Sequence, residues 1–160
     1  EVKETQIESS SILWPGIKAP LLASFHQQLS TDIQKTLDGF LKIQAMGSPH
    51  IREDIKIIRN LVMQSPVPSR QTLDDSLALL ETVDLREKLI LLQMPFLRLY
   101  GRLDSLVPKS IPKLVSELAA TSEQYIFHQA SHAPFISHAD DFVEILTQWL
   151  FKLPAKLTAK

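Results

Sequence analysis

Apolar residues recur at helical spacing through the first half of the chain and gather into short runs in the second. Leu22, Phe25 and Leu29 fall on one face of a helix. Ile33, Leu37, Phe40, Leu41 and Gln44 fall on one face of a second helix. Thr31 with Gln34 three residues later has capping-box form and predicts that this second helix starts at Thr31. Gly47 suits the left-handed position past a helix end, and Ser48-Pro49 then offers an N-cap and a first-turn proline. A third helix carries Ile51, Ile55, Ile58 and Val62 on one face and Arg52, Lys56 and Arg59 on the other. Pro66 and Pro68 interrupt the pattern, and Ser69 can cap a fourth helix bearing Leu73, Leu77 and Leu80. Four short amphipathic helices with brief connections predict a small helical cap over residues 18–83, after a polar lead-in of residues 1–17.

The pattern changes over residues 84–152, before a short tail of residues 153–160. Pro95 to Tyr100 is a short apolar run ending at Gly101 and reads as a buried strand. Gln124 to Phe127 reads as a second strand, with a helix from about Lys109 to Ala119 between them. Strand, helix, strand with short loops implies a parallel right-handed crossover, so the segment is α/β. A last helix runs from about Asp140 to Phe151, with Phe142, Ile145, Leu146, Trp149 and Leu150 on one stripe. Two parallel strands leave hydrogen-bonding edges open and faces uncovered. The sheet is therefore expected to be incomplete. The remaining strands would come from an absent N-terminal part, a partner chain or a swapped copy of this one.

Composition narrows the function classes. Of 160 residues 44% are apolar and 22% charged, which fits a globular chain rather than a disordered one. A net charge of −1 gives no electrostatic case for nucleic acid or an anionic membrane. With no cysteine there is no disulfide and no thiol nucleophile, which fits a cytoplasmic location. Glu1 to Thr5 holds no apolar signal core, and no apolar run reaches membrane-spanning length.

The chemistry sits in two late loops, Tyr100-Gly101-Arg102-Leu103-Asp104 and Ser131-His132-Ala133-Pro134. Each follows the C-terminal end of an expected strand, where catalytic groups gather in open α/β sheets. There Asp104 could hold the imidazole of His132 in one tautomer while His132 moves a proton. The competing reading is a loop Asp that caps the next helix and a solvent-exposed loop His. His26 and His50 read as solvent-facing helix residues, and His138 as the start of the last helix. His128, His132 and His138 are close in sequence but have no carboxylate at ligand spacing, so no metal site is expected.

The flanking residues sharpen this. The stretch from Asp84-Leu85-Arg86 through Pro95 to Asp104 and Val107-Pro108 resembles the acid-bearing segment of α/β-hydrolases. His132-Ala133-Pro134-Phe135 resembles their histidine segment. Trp14-Pro15-Gly16-Ile17-Lys18, Phe40-Leu41-x-Ile43-Gln44-x-Met46-Gly47 and Phe135-Ile136-Ser137-His138 resemble, within that superfamily, the BioH-like pimeloyl-acyl carrier protein methyl ester carboxylesterases of biotin biosynthesis. The resemblance implies Asp104 as triad acid and His132 as general base. It implies a helical lid over an acyl pocket lined by Phe40, Leu41, Lys42, Ile43 and Gln44 together with His132. It also implies acyl carrier protein as partner, gripped by Lys35, Arg52 and Lys56, and no cofactor. Gly39 stands where another basic residue is expected, so the basic patch is thinner. For Arg52, Lys56 and Arg59 a solvated helix face is the competing reading.

One departure matters more than the matches. These hydrolases carry the nucleophile on a G-x-S-x-G elbow upstream of the acid. No serine here has glycine two before and two after it. Ser48 sits at a helix start, and Ser131 reads as a loop residue. The chain thus reads as the lid and C-terminal part of a carboxylesterase, inactive alone. The other readings are a non-catalytic module that binds acyl carrier protein, or another α/β-hydrolase chemistry such as a lactonase or C–C hydrolase.

Overall fold

The computed structural model describes residues 14–17, 19–66 and 68–154. The lead-in before Trp14, Lys18 and the tail from residue 155 lie outside the described residues. Four helices come first, α1 (Ala19–Thr31), α2 (Ile33–Ala45), α3 (Ile51–Met63) and α4 (Arg70–Thr82). After them come α5 (Arg86–Ile90), β1 (Leu97–Gly101), α6 (Ile111–Leu118), β2 (Glu123–Phe127), α7 (Pro134–Ser137) and α8 (Ala139–Lys152).

The first four helices form one layer: α1 packs on α2 and α4, and α2 packs on α3. Phe25 and Phe40 meet at 5.1 Å between centroids, and His26 Nε2 bonds Asp74 at 3.0 Å, tying α1 to α4. The Asp38–Arg59 ion pair at 3.1 Å joins α2 to α3. The expected caps are partly redistributed. Asp32, not Thr31, caps α2, its carboxylate accepting the N–H of Lys35 at 3.0 Å. Thr31 stays in α1 and donates to Gln27 O, because its hydroxyl can bond back to the preceding turn. Ser69 caps α4 as expected. Ser48 Oγ accepts the N–H of His50 at 3.1 Å, and α3 begins at Ile51, so His50 precedes the helix rather than riding on it. Within α2 the buried residues are Thr36, Leu41 and Ala45, a stripe rotated from the expected one.

β1 and β2 pair in parallel from Leu97 opposite Glu123 to Gly101 opposite Phe127. α6 crosses between them and covers one face. Arg98 on that face is 5% exposed and fully engaged. Its guanidinium donates to Ser122 Oγ, Tyr100 OH, Pro112 O and Ser116 Oγ at 2.8–3.1 Å, with no carboxylate in the set. α8 covers the other face, with Phe127 stacked on Phe142 and the Trp149 indole N–H donating to Glu123. Replacing Arg98 with Met should cost roughly 2–4 kcal/mol, since it strips four bonds from a buried network. Urea unfolding checks this, and a loss under about 0.5 kcal/mol would contradict it.

The sheet among the described residues has two strands. Its consequence is visible in the packing: among the described residues no large side chain is completely buried. The α8 stripe is amphipathic as expected, yet none of its residues is buried. Leu79, Leu80, Val83, Leu85, Leu91 and Met94, on the approach to β1, are all at least half exposed. A two-stranded sheet has too little face to cover such helices. The short α5 and α7 were not anticipated, because five and four residues are too few to show a helical period.

Candidate active site

β1 and β2 end side by side, and the loops beyond them meet. Arg102 N–H bonds Phe127 O at 2.9 Å and Leu103 N–H bonds Ala130 O at 2.9 Å, so the β1 loop continues along the β2 loop. Gly101 makes this approach possible. A Cβ there would lie 1.7 Å from Ser131 O. The zipped loops carry Asp104 and His132 to one point, with His132 Nδ1 at 2.9 Å from Asp104 Oδ2. Nδ1 donates and the carboxylate accepts. The other carboxylate oxygen accepts the N–H groups of Leu106 at 2.7 Å and Val107 at 3.0 Å. Asp104 does cap its own loop, and it holds the histidine as well.

The two side chains differ in access. That of Asp104 is 7% exposed and that of His132 33%, so Nε2 sits on the accessible part of the pair. Burial pushes the Asp104 carboxyl up, but the His132 bond and the Val107 and Leu106 N–H groups outweigh it, and the net shift is downward. A carboxyl lowered on folding contributes stability that is full above its unfolded pKa of about 3.9 and lost as pH falls through the folded value. The stability difference between the wild type and Asp104→Asn should therefore shrink as pH drops below about 4. Urea unfolding from pH 6 to pH 2 measures it, and a pH-independent difference would refute it.

A third segment completes the site. The C-terminal end of α2 abuts both loops, with Ser131 Oγ donating to Gln44 O at 2.5 Å and the His132 N–H donating to the same carbonyl at 3.2 Å. Ser105 Oγ donates to Ile43 O at 3.1 Å. Gly47 has φ +95°, and a Cβ there would lie 3.0 Å from Leu103 Cβ. In the sequence Ser131 reads only as a loop residue beside His132, and Ser105 is given no role. A serine beside a histidine carries no signal of a partner 87 residues away.

The other expected site residues spread out. Gln44 reaches His132 through its carbonyl, and Ile43 reaches Ser105, next to Asp104, through its own. Phe40 is half-buried against Phe25, and Leu41 is buried among the helices. Lys42 lines an open groove of about 770 Å³ together with Lys35, Gln27, Thr31 and Asp38. Arg52 and Lys56 are exposed on α3. Lys35 is near the N-terminal end of α2 and Arg52 near that of α3, and the Asp38–Arg59 register puts roughly 15 Å of helix between them. His128 is exposed and His138 Nδ1 bonds Ser137 Oγ at 2.9 Å. Among the described residues no helix is long and apolar enough to cross a membrane.

No family model matches the chain. Over 133 residues it is 50% identical to the pimeloyl-[acyl-carrier protein] methyl ester esterase of Klebsiella pneumoniae subsp. pneumoniae, covering 83% of this chain and 52% of that protein. The esterase of the same name from Aeromonas hydrophila subsp. hydrophila is 47% identical, with 86% and 54% covered. The solved esterase of Exiguobacterium antarcticum superposes with a TM-score of 0.69 at 22% identity, over 81% of this chain and 47% of that one. A bromoperoxidase from Bacillus anthracis gives 0.71 at 22% identity, with 82% and 49% covered. This chain is similar to these esterases, and its fold is that of a partial α/β-hydrolase. It spans about half the length of the curated relatives it matches. Within this α/β-hydrolase half, two adjacent strand ends present a carboxylate-oriented imidazole.

Proposed function

We propose that the chain supplies the acid and base of a serine carboxylesterase that hydrolyses the methyl ester of pimeloyl-acyl carrier protein in biotin biosynthesis. The nucleophilic serine would come from a segment beyond these residues. The observation that carries the reading is the 2.9 Å bond between His132 Nδ1 and Asp104 Oδ2, at adjacent strand ends in a chain half identical to such esterases.

The chemistry follows from the pair. Asp104 keeps the proton on Nδ1, so Nε2 carries the free lone pair. Nε2 takes the serine proton as the serine oxygen bonds to the ester carbonyl. The imidazolium gives that proton to the methoxy oxygen, the C–O bond breaks and methanol leaves an acyl-enzyme. Water then attacks the acyl carbonyl, losing a proton to Nε2. That proton returns to the serine oxygen as the free carboxylic acid departs and ionises in water. Asp104 stays ionised and balances the imidazolium each time it forms.

The helical layer α1–α4 would be the lid, with Phe40, Ile43 and Gln44 toward the acyl chain and Leu41 packed behind them among the helices. The exposed cations Lys35, Arg52 and Lys56 would meet the acidic carrier protein, with Lys42 beside Lys35 in the α2 groove. Long-range attraction of this kind weakens with salt and with charge reversal at Arg52 and Lys56.

Genetic complementation tests the reading. In cells lacking their own pimeloyl-acyl carrier protein methyl ester esterase, this chain co-expressed with the nucleophile-bearing half of a relative should restore growth without biotin. The His132→Ala chain should not. Restoration by the His132→Ala chain at the same level would defeat the proposal. Carrier-protein binding without restored growth would favour a purely binding role.

A further inference from the structure

We infer that Ser131 is a positioning residue and that the C-terminal end of α2 is the seat on which the Asp104–His132 pair is assembled. This rests on reading those two residues as a catalytic pair. The last carbonyls of any α-helix lack intrahelical donors. In α2 the following turn supplies two of them, the Met46 N–H to Ile43 O and the Ser48 N–H to Ala45 O, and the catalytic loops supply Gln44 O and a second donor to Ile43 O. Gln44 O takes the Ser131 hydroxyl at 2.5 Å and the His132 N–H at 3.2 Å, while Ile43 O takes the Ser105 hydroxyl at 3.1 Å. Gly47, just past the helix, lies against Leu103.

One helix end thus holds His132 itself and residues 103, 105 and 131, which flank the two members of the pair. From the opposite side, Leu103 N–H bonds Ala130 O at 2.9 Å. Ala130 is 0% exposed and Ser131 2%, so the backbone leading into His132 is clamped between a helix end and the Asp104 loop. His132 itself lies outside any helix or strand, and its side chain is one-third exposed. Without the clamp nothing regular fixes where Nε2 stands. A displacement of about 1 Å at such a group is enough to cost on the order of a hundredfold in rate. The helix proposed to line the acyl pocket is, on this account, also part of what aligns the base.

The test reads solvent exchange of the His132 Nδ1 proton by NMR, in the full 160-residue chain with labelled histidine. Ser131→Ala should speed that exchange by about tenfold or more, and Ser105→Ala by a smaller factor. Thr36→Val should leave it within about twofold. Thr36 is an equally buried hydroxyl at the other end of α2, donating to Asp32 O at 2.6 Å. An unchanged rate in Ser131→Ala, or equal acceleration in Thr36→Val, would overturn the proposal. Should Ser131→Ala fail to fold, the exposed Ser105→Ala decides, and an unchanged rate there is a refutation. Asp104→Asn separates the two layers. If it leaves the proton's exchange unaltered, the Asp–His reading itself falls. If it speeds exchange while Ser131→Ala does not, only the positioning role falls.

Discussion

The isolated chain should hydrolyse a short-chain p-nitrophenyl ester about a millionfold more slowly than a full-length relative, the typical cost of losing a triad serine. The serines on the Asp104 and His132 loops are engaged elsewhere. Ser131 donates to Gln44 O and Ser105 to Ile43 O. Neither bonds the imidazole, whose ring meets Asp104. The third serine nearby, Ser137, bonds Ala133 O and His138. An imidazole one-third exposed can assist attack by water directly, so a small residual rate is compatible with the account. Turnover comparable to a full-length relative, and abolished by His132→Ala, would show that a nucleophile lies within these 160 residues.

Gly101→Ala should destabilise the chain by about 3 kcal/mol or more, and should separate Asp104 from His132. The added methyl would be placed 1.7 Å from Ser131 O and 2.7 Å from Ala130 O. Both are backbone atoms, so no side chain can rotate away. Relief requires the two loops to part, which breaks the Leu103–Ala130 bond and pulls Ser131 from Gln44. Gly39 gives the matched control. It lies within α2, and a Cβ there would meet nothing within 4 Å. Gly39→Ala should therefore stabilise by about 0.5–1 kcal/mol through helix propensity. Denaturant unfolding of both variants checks the pair, and equal effects would contradict the close-approach argument.

Much of this was legible in the sequence, for reasons that can be named. The α/β character of the second half followed from two short apolar runs around a helical stretch. Asp104 and His132 stood out as residues just past those runs, and the two meet at 2.9 Å. Both features are local, and local patterns survive in a linear reading. The cap of α2 was misplaced by one residue because Thr31 and Asp32 are both good capping residues, and tertiary context chose between them. The α8 stripe was read correctly as amphipathic, but its burial depends on sheet that these residues do not supply. The seat formed by Ile43 and Gln44 was invisible for another reason. It is made of backbone carbonyls, whose bonding the side-chain pattern does not encode. Gly101 left a faint mark, a glycine ending a strand, and the reason for it appears only when Ser131 is set beside it.

The central claim is that Asp104 and His132 are an acid and a base placed for a nucleophile from another segment. Methanol release from a pimeloyl-acyl carrier protein methyl ester tests it most directly, with the purified chain combined with the nucleophile-bearing half of a relative. The combination should turn over, Asp104→Asn should lower kcat by about ten-thousandfold, and His132→Ala should reduce it to the level of that half alone. Equal rates with the wild-type and His132→Ala chains would contradict the account.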